Sequence, residues 1–429
     1  MNVRSSVLVP CILWLSTLTA CGGSGENQEP LNPTYTYYKD IQPVMNRECS
    51  GCHFDGGIGP YPLETYEQLK PYADAVARSV KDRSMPPWLP ALESDCLPLL
   101  SERRLSEAEI ERFQVWAAEG APEGDPADAT GEPPVRPALG EVSFDQGPRD
   151  SYDPDTSVSD DLRCFVIEGG LDKDEYIIGY DVRPGVPWLV HHVNVLISEA
   201  DPAYTLDAED PGPGWNCIDG IGINKVAMVG AWAPGTLPIM YPEDTGIMME
   251  KDRVLVIQVH YNTLNGNIQP DNTHVLLQFA DAPVAERAYV ALLPNSGFEV
   301  PPNTDFYEST LSFKLPFEAR VWGGGGHMHQ QGVTFRSSLA TDDGETCFLY
   351  IDRWRYAWQQ GYFWDTPLPI PAEVGDTVSV SCAWTNPDDR TISWGEKVTD
   401  EMCIGYFYVT GLDENTPMGK MTLNAADLL

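Results

Sequence analysis

Basic charge is scarce in this chain: 27 Lys and Arg stand against 64 Asp and Glu, for a formal net charge of −37. Such a surface repels phosphate backbones and excludes nucleic acid as a partner. Long apolar runs are also missing. The longest, Val7–Leu18, falls short of the about 20 residues that a membrane span needs. Nucleotide-binding loops are absent as well. The glycine run Gly323–Gly326 lacks the Lys-Ser/Thr that would make it a phosphate cradle, and no dinucleotide fingerprint occurs. No Ser sits in a G-x-S-x-G elbow. Histidine is sparse too, with seven residues in 429, yet six of the seven fall inside metal-ligand patterns.

What is present describes a globular chain. Hydrophobic residues make up 42% and charged residues 21%, which excludes wholesale disorder. The length allows two to four domains at roughly 100–200 residues each. Gly and Pro number 37 each, a turn-rich composition that suits β structure better than long helices.

The first 20 residues carry a basic residue (Arg4), the apolar stretch Val7–Leu18 and then Leu18-Thr19-Ala20-Cys21. That order is a secretory signal. Cys directly after Leu-Thr-Ala resembles the lipobox of bacterial lipoproteins, in which this Cys carries the lipid. The alternative is an ordinary signal peptide with an incidental Cys. By the resemblance, residues 1–20 are the signal, Cys21 is the lipidation site and 21–30 is a tether. The protein is then expected in the bacterial cell envelope, lipid-anchored, periplasmic or on the outer membrane. Gly22, in place of Asp, points to outer-membrane sorting by the same resemblance. Export permits disulfides.

Cys49-Ser50-Gly51-Cys52-His53 matches C-x-x-C-H, the attachment motif for c-type haem. Two thiols form thioethers with the haem vinyls, and the adjacent His becomes an iron ligand. A zinc site would require a second ligand pair nearby, and none exists; a CxxC disulfide is the other reading. Tyr66–Asp82 has helical periodicity, with Leu69, Ala73, Val76, Ala77 and Val80 on one side. Ser84-Met85-Pro86-Pro87-Trp88 then offers Met85 as second axial ligand, or as a core residue that leaves the sixth site open. Ser106 and Glu109 form a capping box at the start of a last helix, which Gly120 ends. Residues 31–122 therefore resemble a class I-type cytochrome c, a small all-α haem domain for electron transfer. Residues 123–142 are a Pro-rich acidic linker, semi-extended and able to let that domain swing.

From residue 143 onward, short β-branched and aromatic runs alternate with Gly/Pro/Asn/Asp clusters, the pattern of antiparallel sandwiches. Three histidine segments stand out: His191-His192-Val193-Asn194, Gln258-Val259-His260-Tyr261, and His327-Met328-His329. Residues i and i+2 of a strand share a face, so His327 and His329 can reach one ion while Met328 points away into packing. His191 and His192 are neighbours, and both reach one metal only if a bulge or strand end breaks the alternation. His274 fits no ligand pattern and reads as structural.

These segments, in this order and followed by Asp400-Glu401-Met402-Cys403, resemble the copper type II, ascorbate-dependent monooxygenases over roughly residues 160–412. The resemblance implies two tandem antiparallel β-sandwiches, jelly-roll-like, at 143–285 and 286–429, with one copper ion in each and an open cleft between. His191, His192 and His260 would hold the electron-storing copper. His327, His329 and Met402 would hold the oxygen-activating copper and form the catalytic set. Imidazole suits copper, and a thioether favours Cu(I). By the family's bridges, Cys382 would pair with Cys403 and Cys164 with Cys217. Cys96 and Cys347 are left over, and sequence does not assign their pairing.

Two departures bear on substrate. Peptide-hydroxylating members carry an Arg two residues before the first His of H-x-H, and here that residue is Gly325; they follow Met-Cys with Asn, and here it is Ile404. Both argue against a peptidylglycine acid and for a neutral or cationic small substrate. The expectation is thus a multidomain protein with two copper ions and one covalent haem c. It would hydroxylate a C–H bond with O₂, using electrons relayed by the haem from a periplasmic reductant or cytochrome. A non-enzymatic copper/haem electron carrier or copper-binding lipoprotein is the alternative, and a binding module that presents the cytochrome is a third reading.

Overall fold

The computed structural model describes residues 34–412 apart from 219, 264, 265 and 398. The signal 1–20, Cys21 and the tether 21–30 lie outside the described residues. No described helix is long and apolar enough to cross a membrane. The chain is mostly β-sheet, preceded by a small helical unit.

The helical unit is built from the turns Tyr37–Ile41, Gln42–Val44 and Met45–Cys49, the helices Tyr66–Leu69 and Ala73–Lys81, and the helix Glu107–Ala118. Leu69, Ala73, Ala77 and Val80 are buried, as their spacing requires, against Ile110, Phe113 and Trp116. Each fully buried aliphatic or aromatic side chain contributes roughly 1.5–3 kcal/mol. The Ser106–Glu109 capping box is formed in both directions, and the helix that it starts ends before Gly120, at φ +85°. Thr65 and Gln68 make a second capping box.

Two sandwiches follow. In the first, a five-stranded sheet runs in the order Trp215–Asn216, Asp160–Ile167, Arg253–Asn262, Val190–Glu199, Val226–Trp232. The strand Arg253–Asn262 is apolar on both faces for a reason visible in the packing. Leu255, Ile257, Val259 and Tyr261 enter the sandwich core. Val254 and Val256 point the other way, into a second cluster closed by Ala203, Trp215 and the Cys164–Cys217 disulfide. In the second sandwich, a four-stranded sheet runs Thr304–Lys314, Thr377–Asn386, Gly332–Thr341, Gly344–Ile351. Its core contains Phe335, Phe348, Trp384 and the Cys382–Cys403 disulfide.

The opposing layer of both sandwiches is one continuous sheet. Glu175–Arg183 and Thr245–Met249 belong to the first half, and Glu286–Pro294, Ile404–Thr410 and Ala319–His327 to the second. They join where Thr245–Met249 pairs in parallel with Glu286–Pro294, with Glu286 opposite Thr245 and Ala288 opposite Ile247. Ala288, Val290 and Tyr408 consequently pack into the first core. The halves are therefore fused through a shared sheet near residues 283–287.

The connection to the helical unit differs from the flexible linker read from composition. Val135 N–H donates to Asn46 C=O at 2.8 Å, and Asn46 Nδ2 donates to Glu132 C=O at 2.7 Å. Arg136 pairs with Glu64, and its guanidinium lies 4.5 Å over the Phe54 ring. Composition reveals solubility and extension but not these specific donors, which pin the segment to the unit that it leaves.

A second attachment comes from inside the helical unit. Residues 87–103 form a strap across the second sandwich. Ala91 N–H donates to Tyr350 C=O at 2.8 Å, Leu97 N–H to Cys347 C=O at 3.0 Å, and Leu100 N–H to Phe363 C=O at 2.9 Å. Leu89 is buried in the second core, and Cys96 is bonded to Cys347. That disulfide bridges 251 residues of sequence. Replacing Cys96 and Cys347 together by Ser is expected to lower stability by about 2–5 kcal/mol. It should also open the strap to proteolysis between residues 87 and 103. Limited digestion and thermal melting check this, and an unchanged cleavage pattern would show that the hydrogen bonds alone hold the strap.

Candidate metal centre

The strands Val190–Glu199 and Arg253–Asn262 are paired partners, which sets His192 opposite His260. Between Val190 and His192 the register shifts by a residue. This bulge is the break in alternation that two neighbouring histidines need to share one face. Their rings lie 5.2 Å (His191) and 4.9 Å (His192) from that of His260, and one nitrogen from each of the three falls within 4.8 Å of the others.

The hydrogen bonds decide which nitrogens are free. His260 Nε2–H donates to Asp160 Oδ1 at 3.0 Å, so Nδ1 keeps its lone pair. That Nδ1 is buried without a partner, as is His191 Nε2. His191 Nδ1 and His192 Nδ1 are 3.1 Å apart. Burial, with neighbouring histidines adding repulsion, lowers the His191 pKa to about 3 and holds His192 well below its ordinary value. Both rings are neutral at neutral pH and able to donate lone pairs. The bond from His260 holds the Asp160 carboxyl below its usual range.

His327 ends the strand Ala319–His327, and His329 follows in the turn. Their rings are 5.3 Å apart and nearly perpendicular. Gln359 Nε2 donates to Tyr356 C=O, which turns Oε1 toward His327 Nδ1 at 2.6 Å. His329 Nδ1–H donates to Asp400 C=O at 3.0 Å. Each ring thus spends Nδ1 on a protein acceptor and retains Nε2, and the acceptor fixes which tautomer the ring holds. Burial lowers the His327 pKa to about 3 and lowers that of His329 as well. Met402 is buried beside them, while Met328 faces the second core.

Glu401 organises this end. It is fully buried and accepts from His329 N–H at 2.9 Å, Gln331 N–H at 2.6 Å and Trp384 Nε1–H at 3.0 Å. Burial outweighs these donors and pushes its carboxyl up to about 7.

Both groups line one cavity of about 320 Å³ between the sandwiches: His192 and His260 from the first, His327, His329 and Met402 from the second. The two groups adjoin rather than face across a wide cleft. The His192 and His327 rings are 5.9 Å apart, and Tyr356 lies between, stacked on His191 at 4.1 Å and 5.9 Å from His329. Most other walls are apolar, including Leu162, Ile221, Ile223, Val226 and Leu292. No Lys or Arg lines it, and Glu396 is its one charged lining residue among those described. At Gly325 a Cβ would sit 2.3 Å from the Tyr406 ring and 2.7 Å from Gln360 C=O, so no side chain fits there.

The CxxCH motif stands apart from this cavity. Cys49 and Cys52 are free thiols, whereas the other six described cysteines are paired. Burial raises the thiol pKa of both, Cys49 to about 12, while the positive charge of Arg103 opposes the rise at Cys52. His53 Nδ1–H donates to Tyr61 C=O at 3.0 Å, leaving Nε2. Met85 lines a separate cavity of about 220 Å³, with Leu105 and Ile110 on one side and Arg353 and Arg355 on the other. His274 is tied to Asp145 at 2.6 Å on the surface and reaches neither cluster. Sequence reasoning missed Asp160, Tyr356 and Gln359, because no local motif marks them; they reach the histidines only through strand pairing and a returning loop.

Residues 310–420 match the copper type II ascorbate-dependent monooxygenase C-terminal domain. The chain is 23% identical over 290 residues to tyramine beta-hydroxylase from Caenorhabditis briggsae, covering 60% of this chain and 47% of that one. It is 24% identical over 262 residues to peptidyl-glycine alpha-amidating monooxygenase A from Xenopus laevis, covering 58% and 26%. The chain therefore spans less than half the length of these curated relatives. The match makes it similar to copper-dependent oxidoreductases of the monooxygenase class. Among solved structures, the major capsid protein P2 from bacteriophage PM2 aligns with 63% of this chain and 98% of its own at 6% identity, with a TM-score of 0.27, too low to bear on fold or function.

Glu401→Ala strips three buried donors of their acceptor, at roughly 1–3 kcal/mol for each. The expected result is a sharp fall in melting temperature with a changed tryptophan signal from Trp384. An unaltered melt would show that the turn holding His329 is stabilised elsewhere.

Proposed function

We propose that this chain is a copper-dependent monooxygenase that hydroxylates a C–H bond of a small, predominantly apolar substrate. The observation that carries the reading is the single cavity walled by both histidine groups, with Met402 beside the second. The donor set fits copper: imidazole nitrogens with free lone pairs, two of them buried and unpartnered, and one thioether. His191, His192 and His260 would hold the electron-storing ion, and His327, His329 and Met402 the oxygen-activating ion. Bound copper would supply one-electron chemistry with O₂. The net reaction is substrate C–H plus O₂, two electrons and two protons, giving C–OH and water.

The chain's own residues shape that chemistry. Asp160, Gln359 and the Asp400 carbonyl orient His260, His327 and His329 and set the nitrogen that each presents. Apolar walls exclude water and favour an uncharged substrate. The absence of basic lining residues and the filled space at Gly325 speak against a substrate held by its carboxylate.

The CxxCH unit fits a covalently bound haem c. Two thiols are spared from disulfides, and His53 has one nitrogen to give. Cys49, Cys52 and His53 would attach and ligate it, Met85 would be a further ligand, and the bound group would supply one-electron chemistry with an external reductant or cytochrome. The signal and Cys21 support a lipid-anchored protein of the bacterial cell envelope.

Protein matured in a periplasm and supplied with copper is expected to contain two coppers and one haem iron per chain. His260→Ala and His327→Ala should each remove one copper. Asp160→Ala should weaken the first site by about 10–100-fold. O₂ uptake with reductant should couple to a hydroxylated neutral product in preference to glycine-extended acids. Two bound coppers without any coupled O₂ uptake would favour the electron-carrier reading instead.

A further inference from the structure

The strap that leaves the CxxCH unit reaches the H-x-H group through an unbroken chain of buried contacts. Arg103 is buried, and the charge of its guanidinium acts on the Cys52 thiol. Its Nη1–H donates to Gly235 C=O at 2.9 Å, across 132 residues of sequence. Gly235 holds φ +92°, and a Cβ there would stand 3.0 Å from Pro87 of the strap, so the two segments touch directly. The next residue, Thr236, accepts from Ala233 N–H at 3.1 Å and donates its hydroxyl to Gln359 C=O at 3.4 Å. Gln359 Oε1 then accepts from His327 Nδ1–H at 2.6 Å. Gln360 Nε2 donates back to Pro87 C=O at 3.2 Å and closes the contact from the other side. The three-histidine group lies one contact further on: Gln359 Nε2 donates to Tyr356 C=O, Tyr356 stacks on His191, and His260 bonds Asp160.

Electronic coupling falls off more slowly through bonded and hydrogen-bonded atoms than across gaps, and a buried, fully hydrogen-bonded chain is held rigid. Resting on the function proposed above, we propose that the CxxCH unit is a fixed intramolecular electron donor whose electron enters at the H-x-H group, along Arg103, Gly235–Thr236, Gln359 and His327. The transfer is one electron from a ferrous c-type haem on Cys49, Cys52 and His53, which becomes ferric, to Cu(II) at His327 and His329, which becomes Cu(I). No bond breaks and no proton moves. Arg103, Thr236 and Gln359 are positioning residues for this transfer.

The test uses the full-length protein with its haem and copper counted beforehand, without O₂ or substrate. A flash-activated flavin reduces the haem. The haem absorption band then reports its reoxidation, and the Cu(II) paramagnetic resonance signal reports copper reduction. A concentration-independent reoxidation phase is expected. It should survive in His260→Ala and vanish in His327→Ala. Thr236→Val should slow it several-fold, with the haem spectrum and midpoint potential unchanged, whereas Thr236→Ser, which keeps the hydroxyl, should restore it. The inference is overturned if the phase vanishes in His260→Ala and survives in His327→Ala, or if Thr236→Val reoxidises at the original rate. Protein with one haem and two coppers but no intramolecular phase also overturns it, while leaving the monooxygenase reading in place. A chain that binds no copper removes both.

Discussion

The parallel pairing of Thr245–Met249 with Glu286–Pro294 is the constraint on which the remaining geometry depends. It turns two sandwiches into one body with a common layer, and so fixes the distance between groups as distant in the chain as His192 and Met402. The outer face of the five-stranded sheet then confronts the edge of the second sandwich. The cavity with histidines on both walls is the space between them. Without the shared sheet, the closeness of His192 to His327 would depend on a flexible hinge.

Within that frame, each histidine is prepared by a different local device. A bulge brings His191 and His192 to one side. Pairing with Asp160 frees Nδ1 of His260. A side-chain amide and a carbonyl take the Nδ1 protons of His327 and His329. The first group therefore offers a different ring nitrogen, at His260, from the second. Burial keeps His191, His192, His327 and His329 uncharged, so they are available as donors without first losing a proton.

Much of this was legible in the sequence where the signal is local. Leu69, Ala73, Ala77 and Val80 announce a buried helical face, and Ser106 with Glu109 announces its neighbour's start. The H-x-H spacing places two rings on one side, and the need for a bulge at His191 follows from strand alternation alone. What was not legible is non-local. Nothing near Asp160 marks it as the partner of a histidine 100 residues away, and nothing around Gln359 points to His327. The Pro-rich composition of 123–142 suggested free movement, because composition does not register that Arg136 and Val135 find partners on the unit behind them. The strap 87–103 was hidden for the same reason: its hydrogen bonds lie on strands encoded some 250 residues later.

That last span has a consequence for how the molecule is assembled. The loop carrying Cys96 is made early in synthesis, but the strands on which it lies include Gly344–Ile351 and Tyr362–Phe363. Until those emerge, the helical unit has its own core but no seat for its longest excursion. Completion of the amino-terminal part thus waits on the carboxy-terminal part, and the chain order of the two is not an order of maturation. The crosslink between Cys96 and Cys347 closes a ring of chain that encloses the whole first sandwich, so the three bodies reach their final arrangement as a unit.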